Sequence, residues 1–222
     1  MADPTDLRRR RRHQTTSEIH QAALKLARQR GYENVTIEQI SSEAGVSQRT
    51  FFNYFPTKEA AVAYAPLRIP DDLAAEFIAR GKAQRSIVLN ELISVIAEHL
   101  DREPPSRQHS DDIKAVALQN PNVLSAMLST FEAFFASMAQ IVARRLGSRS
   151  DEEIPQLIAG LALATVRVGL DQWSQDEPAE LDTPVPYVRR AAGLLPSLLS
   201  DDDSPTGPKS STRRKKQGTQ SQ

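Results

Sequence analysis

The chain contains no cysteine among its 222 residues. Disulfides, thiolate metal sites and cysteine nucleophiles are therefore excluded. Long hydrophobic runs are also missing, since no apolar run approaches the roughly 20 residues that a membrane helix needs. The arginines near the N-terminus precede no apolar segment, so we do not expect a secretory signal there. These absences predict a cytoplasmic protein with no membrane partner.

Signals of catalysis are equally scarce. The four histidines are scattered at 13, 20, 99 and 109, and no metal-spaced histidine pair, phosphate-loop glycine run or nucleophile elbow occurs. Acidic pairs do occur, but at predicted helix starts, where carboxylates interact favourably with the helix dipole. We therefore expect no enzyme, no cofactor and no metal site.

The net charge of zero conceals an uneven distribution. Residues 1–14 hold five arginines against two aspartates, which gives +3, and residues 199–222 hold five basic residues against three aspartates, which gives +2. Residues 15–198 carry the remaining −5. Basic ends on an acidic body favour a polyanionic partner, most commonly nucleic acid. The alternative is that both ends are solvated and only keep the protein soluble.

Apolar residues recur every three or four positions, and no alternating strand pattern or hairpin dipeptide occurs. We therefore predict an all-α protein. Thr15 followed by Glu18 fits a capping box, which predicts that the first helix begins there. The sequence divides into a basic disordered arm at 1–14, a helix-turn-helix domain at 15–62, a helical body at 63–199 and a disordered basic tail at 200–222.

Residues 36–58 show the order of signals found in a helix-turn-helix. A second capping box, Thr36 with Gln39, opens one helix, and Ser47 caps the next. About three residues join the two helices, with Gly45 in the bend, where glycine adopts a positive φ at no steric cost. This arrangement is typical of proteins that place a helix in the DNA major groove.

The third predicted helix carries four aromatic residues in five positions, more than one helix face can bury. If Phe51 and Phe55 point inward, about 100° per residue places Arg49 and Asn53 on the opposite face. Arginine bonds guanine, amides bond adenine, and apolar groups contact the thymine methyl. The expected outward-facing set is Gln48, Arg49, Thr50, Phe52, Asn53 and Tyr54, with Thr36 and Lys58 available to phosphates. The alternative is a short amphipathic helix with a mixed polar surface.

These residues resemble the DNA-binding signature of TetR-type (tetracycline-repressor-like) transcriptional regulators. The stretch TIEQISSEAGVSQRTFFNYFPTKEA is similar to the family pattern at Thr36, Ala44, Gly45, Val46, Ser47, Thr50, Phe51, Tyr54, Phe55 and Lys58. Family members often carry tyrosine at positions 52 and 53, where this chain has phenylalanine and asparagine. The resemblance implies that Thr36, Thr50, Tyr54 and Lys58 bind phosphates, and that Gln48, Arg49, Phe52 and Asn53 lie nearest the bases.

The resemblance further implies about nine helices, a homodimer with a palindromic operator, and a ligand-binding second domain. The helices at 152–175 and 186–199 would form the dimer bundle through Leu157, Leu161, Val168, Leu194, Leu195 and Leu198. Ordinary core packing is the alternative for these six. Candidate effector-pocket residues are Phe77, His99, Met127, Phe131, Phe134, Arg167 and Trp173. The identity of the effector stays open, and a lipophilic compound is one candidate.

The arginine run ahead of the first helix fits the DNA minor groove, where arginine favours narrow A·T-rich stretches. Arg10, Arg11 and Arg12 are therefore expected DNA contacts, whereas the role of RRKK at 213–216 stays open. We predict a double-stranded-DNA-binding transcriptional regulator, most simply a repressor released by its effector. Two alternatives are an architectural DNA-binding protein without ligand control, and a regulator whose second domain binds a protein partner.

Overall fold

The computed structural model describes residues 4–65, 67–176 and 183–199. These residues form ten α-helices and one short 3₁₀ helix, and they contain no β-strand, which confirms the all-α prediction. The count is one more than the nine or so helices expected. In chain order the helices are α1 Pro4–Arg30, α2 Ile37–Glu43, α3 Gln48–Tyr54, α4 Lys58–Val62, α5 Asp71–Ala79, α6 Arg85–Arg102, α7 Arg107–Gln119, α8 Pro121–Leu146, α9 Glu153–Gln175 and α10 Val185–Leu199.

The first helix begins eleven residues earlier than the capping box predicted, at Pro4. The disordered arm expected at 1–14 is therefore wrong for residues 4–14, which continue α1. Arginine is a good helix former and proline is tolerated at a first helical position, so nothing in this stretch breaks the helix. The Glu18 carboxylate accepts a hydrogen bond from Gln14 at 2.9 Å instead of closing a cap. The expected basic tail at 200–222 lies outside the described residues.

The helix-turn-helix forms as the local signals indicate. Thr36 and Gln39 exchange both hydrogen bonds of a capping box, and the Ser47 hydroxyl accepts from the Thr50 amide at 3.0 Å. Gly45 has a φ of 66°, the left-handed conformation that glycine permits between α2 and α3. The second capping box and the glycine bend are thus confirmed.

The interior consists of two apolar cores. The first is built by α1 to α4 and is completed by α7 and the start of α8, through Ile113, Val116, Ala117 and Val123. The second joins α5, α6, α8, α9 and α10. Packing therefore crosses the proposed boundary at residue 62, because the DNA-binding helices bury part of their apolar surface against the helical body.

Two helices, α8 and α9, are long and apolar enough to span a membrane by length and composition alone, with mean hydropathies of 1.4 and 1.3. The sequence excludes only an uninterrupted apolar run of about 20 residues, and neither helix contains one. These helices mix small and aliphatic residues with a few polar ones, so the average is apolar although no run is. In the structure α9 packs against α6, α8 and α10, and Ile158, Ala159 and Ala162 are buried in the second core.

Candidate nucleic-acid interface

The helix α3 is held by its two inward aromatic rings. Phe51 is fully buried and Phe55 is 4% exposed, with their ring centroids 6.1 Å apart. Phe55 also packs edge-on against Tyr64, at 5.5 Å. These contacts anchor one face of α3 to the first core, so the opposite face points to solvent.

The outward face of α3 carries the side chains expected to read bases. Gln48, Arg49, Phe52 and Asn53 are exposed, and 55% of the Phe52 surface is accessible. An exposed phenylalanine costs hydrophobic free energy in a free protein, and DNA contact would recover it. The structure thus gathers these four residues on one surface.

The residues expected on phosphates are partly engaged within the protein. The Lys58 ammonium donates to the carbonyl oxygens of Val35 at 3.0 Å and Tyr32 at 3.3 Å, and lies 4.3 Å from the centroid of the Tyr32 ring. Two of its three N–H groups are therefore used to hold the α1–α2 connection. Thr36 and Thr50 accept or share cap hydrogen bonds while their hydroxyls remain near the surface. Lys58 can offer a phosphate only its remaining proton.

The cluster around Lys58 has a second member that sequence analysis did not identify. The Tyr32 hydroxyl donates to the Glu59 carboxylate, and burial raises the pKa of that phenol, so it stays protonated. Lys58 and Glu59 thus bond two different parts of the same tyrosine. The sequence shows only that Lys58 and Glu59 are adjacent. It does not reveal that both bond Tyr32, because Tyr32 lies 26 positions before Lys58.

The basic end of α1 reaches the recognition helix. Arg11 and Arg12 are exposed, and the Arg12 guanidinium carbon lies 5.6 Å from the centroid of the Tyr54 ring, within cation–π range. Tyr54 itself is half-buried. The side chain of Arg10 lies outside what the structure describes. The structure therefore places Arg12 beside α3 and leaves Arg11 exposed, and both lie on a helix rather than on an extended arm.

The structure distributes the seven candidate effector residues over the two cores and the surface. Phe77 and Phe134 are buried in the second core, whereas Met127 packs on the first. Phe131 and Arg167 are at the surface, with Arg167 Nε 3.6 Å from an Asp171 oxygen. Trp173 is buried beneath the Arg107 guanidinium at 4.3 Å, and the half-buried His99 has its pKa lowered by burial. These residues occupy separate places because helical periodicity does not specify which faces meet.

Two open cavities of about 460 and 550 Å³ have other linings. The first lies between α1 and α7. The second lies on the surface of α8 and α9 and is lined by Phe135, Glu153, Gln156, Leu157, Gly160 and Leu161. It therefore belongs to the face expected to form a dimer.

Most of the expected dimer residues are exposed in the single chain. Their accessible fractions are 58% for Leu157, 40% for Leu161, 51% for Val168, 55% for Leu194 and 76% for Leu198. Leu195 instead packs partly against the second core. Large aliphatic groups on two adjacent helices make an apolar surface of the kind that partners cover.

Comparison with known proteins places these features in a family. A model described as "Bacterial regulatory proteins, tetR family" matches residues 19–65, and one described as "MftR C-terminal domain" matches residues 91–195. Together they span more than half of the chain. The first covers the helix-turn-helix, and the second covers most of the helical body.

Two curated relatives have related descriptions. The chain is 27% identical over 202 residues to the HTH-type transcriptional regulator TcmR of Streptomyces glaucescens, covering 88% of this chain and 89% of that one. It is 24% identical over 179 residues to the putative mycofactocin biosynthesis transcriptional regulator MftR of Mycobacterium tuberculosis, covering 78% and 86%.

A solved structure also matches along most of the chain. Thermus thermophilus FadR, a TetR-family repressor in complex with lauroyl-CoA, has 25% identity and a TM-score of 0.47, covering 87% of this chain and 99% of that one. The helix-turn-helix geometry and the two matching models agree, and the relatives are regulators rather than enzymes. This chain belongs to the TetR family of bacterial transcriptional regulators.

Proposed function

We propose that the protein is a homodimeric repressor that binds a palindromic operator through α3 and is released by a small-molecule effector. The observation that carries the DNA-binding part is the division of α3 into two faces. Phe51 and Phe55 hold it from behind, while Gln48, Arg49, Phe52 and Asn53 face outward. A rigid helix with amide, guanidinium and aromatic groups on its free face suits base-edge contacts in the major groove. We place the protein in the cytoplasm, where its DNA target would be.

The test is selection of bound sequences from random double-stranded DNA with wild type, Arg49→Ala and Arg85→Ala. Arg85 is an exposed arginine at the start of α6, far along the chain from α3, so it controls for the removal of a positive charge. We expect a palindromic motif, and in Arg49→Ala a loss of preference at one base position in each half-site. A bidentate arginine–guanine pair discriminates by about 1–3 kcal/mol, or roughly 5- to 150-fold. No motif from wild type would favour the architectural alternative.

The proposed dimer rests on the exposed aliphatic face of α9 and α10. Leu161→Glu with Leu194→Glu should give monomers in sedimentation at concentrations where wild type is dimeric, because two carboxylates per copy would be desolvated in the interface. Leu118→Glu is the matched control, since Leu118 is 81% exposed on α7. Persistence of the dimer in the double variant would contradict the proposed interface.

The effector is proposed to act within 63–199, with 15–62 as the DNA-binding part. Ligand and DNA would favour different arrangements of the dimer, each weakening the binding of the other. The test is displacement of fluorescent operator DNA by a panel of neutral lipophiles, acyl-CoA compounds and cations. If none displaces DNA while a protein from the same cell does, the alternative with a protein partner is correct.

A further inference from the structure

A pair of histidines joins the DNA-binding helices to α7. His20, on α1, is 3% exposed, and His109 lies in the first turn of α7. Their Nε2 atoms are 2.6 Å apart, and His20 Nδ1 is 2.7 Å from the carbonyl oxygen of Ala61 on α4. Three helices therefore meet at one buried imidazole.

The bonding fixes where the protons are. A carbonyl oxygen only accepts, so His20 Nδ1 carries a hydrogen and donates it to Ala61. In neutral His20 the Nε2 atom is then an acceptor, and His109 Nε2–H must be the donor. The hydrogen bond can persist after one proton is added, because a charged His109 still donates through Nε2–H. A second added proton breaks the bond, because both Nε2 atoms would then carry hydrogens and both rings would be positive.

A shared metal ion explains the pair less well. Two nitrogens on one tetrahedral zinc ion, each about 2.0–2.1 Å from it, would lie about 3.3 Å apart. The observed 2.6 Å fits a direct hydrogen bond. Within the described ranges, no group of three or more histidine, aspartate or glutamate side chains is placed to hold a metal.

The groups around the pair disfavour extra charge on His20 more than on His109. The Tyr64 ring packs edge-on against His20 at 5.5 Å, and burial lowers the pKa of His20 to about 4. His109 also lines the 460 Å³ cavity between α1 and α7, together with Lys25, Arg28 and Asp112. Burial lowers the pKa of His109, although Asp112, whose carboxylate binds Arg28 at 2.5 Å, opposes that shift.

We propose that the His20–His109 hydrogen bond is a proton-sensitive contact between the DNA-binding helices and the helical body. When both imidazoles are protonated the bond breaks, α7 separates from α1, and affinity for DNA falls. Only this last step rests on the proposed function. Added positive charge would by itself strengthen attraction to DNA, so a fall in affinity on acidification distinguishes the contact from simple electrostatics.

The direction follows from linkage. Both pKa values are lowered in the packed arrangement, so the contact is fully stabilising above about pH 6.5 and weakens as pH falls toward 4. When the pH falls from 7.5 to 5.5, the equilibrium constant for separation of α7 from α1 increases by up to about tenfold for each imidazole that regains its ordinary pKa of about 6.5.

The first experiment tests the contact without DNA. In a His13→Gln, His99→Gln background only His20 and His109 remain, and NMR of their ring protons reports each protonation. We expect both rings to titrate below the ordinary imidazole pKa of about 6.5. Hydrogen exchange of the α7 amides, corrected for the intrinsic exchange rate and compared with that of the α9 amides, should increase from pH 7.5 to 5.5. Titration of both rings near 6.5 would overturn the proposal.

A second variant separates charge from packing. His109→Gln can still donate an N–H to His20 but takes up no proton, so its α7 exchange should keep only the part of the pH dependence that comes from His20. His109→Leu removes the donor, and its α7 exchange should be raised at every pH. If His109→Gln keeps the full pH dependence of wild type, the proposal is wrong.

The final experiment measures operator affinity at pH 7.5 and 5.5 at constant ionic strength. Wild type and the surface control His13→Gln should lose affinity on acidification, whereas His109→Gln should lose less, because only His20 can still take up a proton. Equal losses in all three would overturn the coupling. If wild type binds no DNA at either pH, the proposed function fails, and the exchange measurements still decide whether the contact exists.

Discussion

At the scale of single residues, the side chain of Arg145 contacts three other parts of the fold. It lies at the end of α8 and is 3% exposed. Its Nε donates to the Gly81 carbonyl oxygen at 2.9 Å, an Nη atom contacts the Glu91 carboxylate, and the guanidinium lies 4.4 Å from the Phe77 ring centroid. The neighbouring Arg144 is exposed. Both arginines fit the basic last turn of a helix, so sequence pattern alone does not distinguish them.

Replacing Arg145 should therefore cost much more than replacing Arg144. We expect Arg145→Met to lower the free energy of unfolding by about 2–4 kcal/mol, because it leaves the Gly81 carbonyl and Glu91 without this donor. Arg144→Met should change it by less than about 0.5 kcal/mol. Urea denaturation followed by far-UV circular dichroism measures both. Similar losses of unfolding free energy in the two variants would show that Arg145 is no more buried than Arg144.

At the scale of elements, the pairing of α9 with α10 depends on one glycine. A Cβ atom built on Gly169 would lie 2.6 Å from the backbone Cα and N atoms of Val188. Backbone atoms cannot move aside as a flexible side chain can, so the two helices must separate to admit a methyl group. Gly193, on α10, has no atom within 4 Å of the corresponding point.

These two glycines make a matched pair of variants. Gly169→Ala should destabilise the protein by about 1–3 kcal/mol through overpacking. Gly193→Ala should be neutral or stabilise by up to about 1 kcal/mol, because alanine favours the helix. Thermal unfolding at equal protein concentration measures both. If Gly169→Ala is as stable as wild type, α9 and α10 do not approach as closely as described.

The N-terminal extension of α1 gives a prediction about salt. Arg11→Gln with Arg12→Gln keeps the helix but removes two exposed charges, one of them beside Tyr54 of α3. The slope of log affinity for DNA against log salt should decrease by about 0.9 for each phosphate that the variant no longer neutralises. The control is Arg189→Gln with Arg190→Gln, which removes the same charge from exposed positions on α10. An equal change in both double variants would mean that the extension does not touch DNA.

At the scale of the whole molecule, the DNA-binding helices do not complete their own core. Buried residues of α7 and α8 fill it, and Arg28 on α1 binds Asp112 on α7. The apolar surface that these helices present to the body would be in water if they were alone. Changes in the body can therefore reach α1 and α4 directly through packed side chains, without passing along the chain through α5.

A fragment of residues 1–65 tests this dependence. It should unfold with a lower midpoint and a broader transition than the intact protein, because its core lacks Ile113, Val116, Ala117 and Val123. Circular dichroism against temperature gives the comparison, and a fragment carrying Ile40→Ala serves as an unfolded reference. A fragment as cooperative as the whole chain would mean that this packing contributes little.

Sequence by itself determined the features that depend on neighbouring residues. The capping box at Thr36 and Gln39 and the bend at Gly45 involve atoms a few positions apart, so residue type and spacing suffice to specify them. The division of α3 into a buried and an outward face follows from 100° per residue once Phe51 and Phe55 are placed inward. The all-α class and the family follow from the same local patterns.

Tertiary structure alone decided which distant groups meet. His20 and His109 are 89 positions apart, and Arg145 and Gly81 are 64 apart. The expected effector residues illustrate the same limit, since Phe77 and Phe134 face the second core and Met127 the first, while Phe131 and Arg167 are exposed. Periodicity defines a helix face, but the partner of that face depends on how the helices pack, and that packing decided the bonds of Lys58, the burial of Arg145 and the histidine contact.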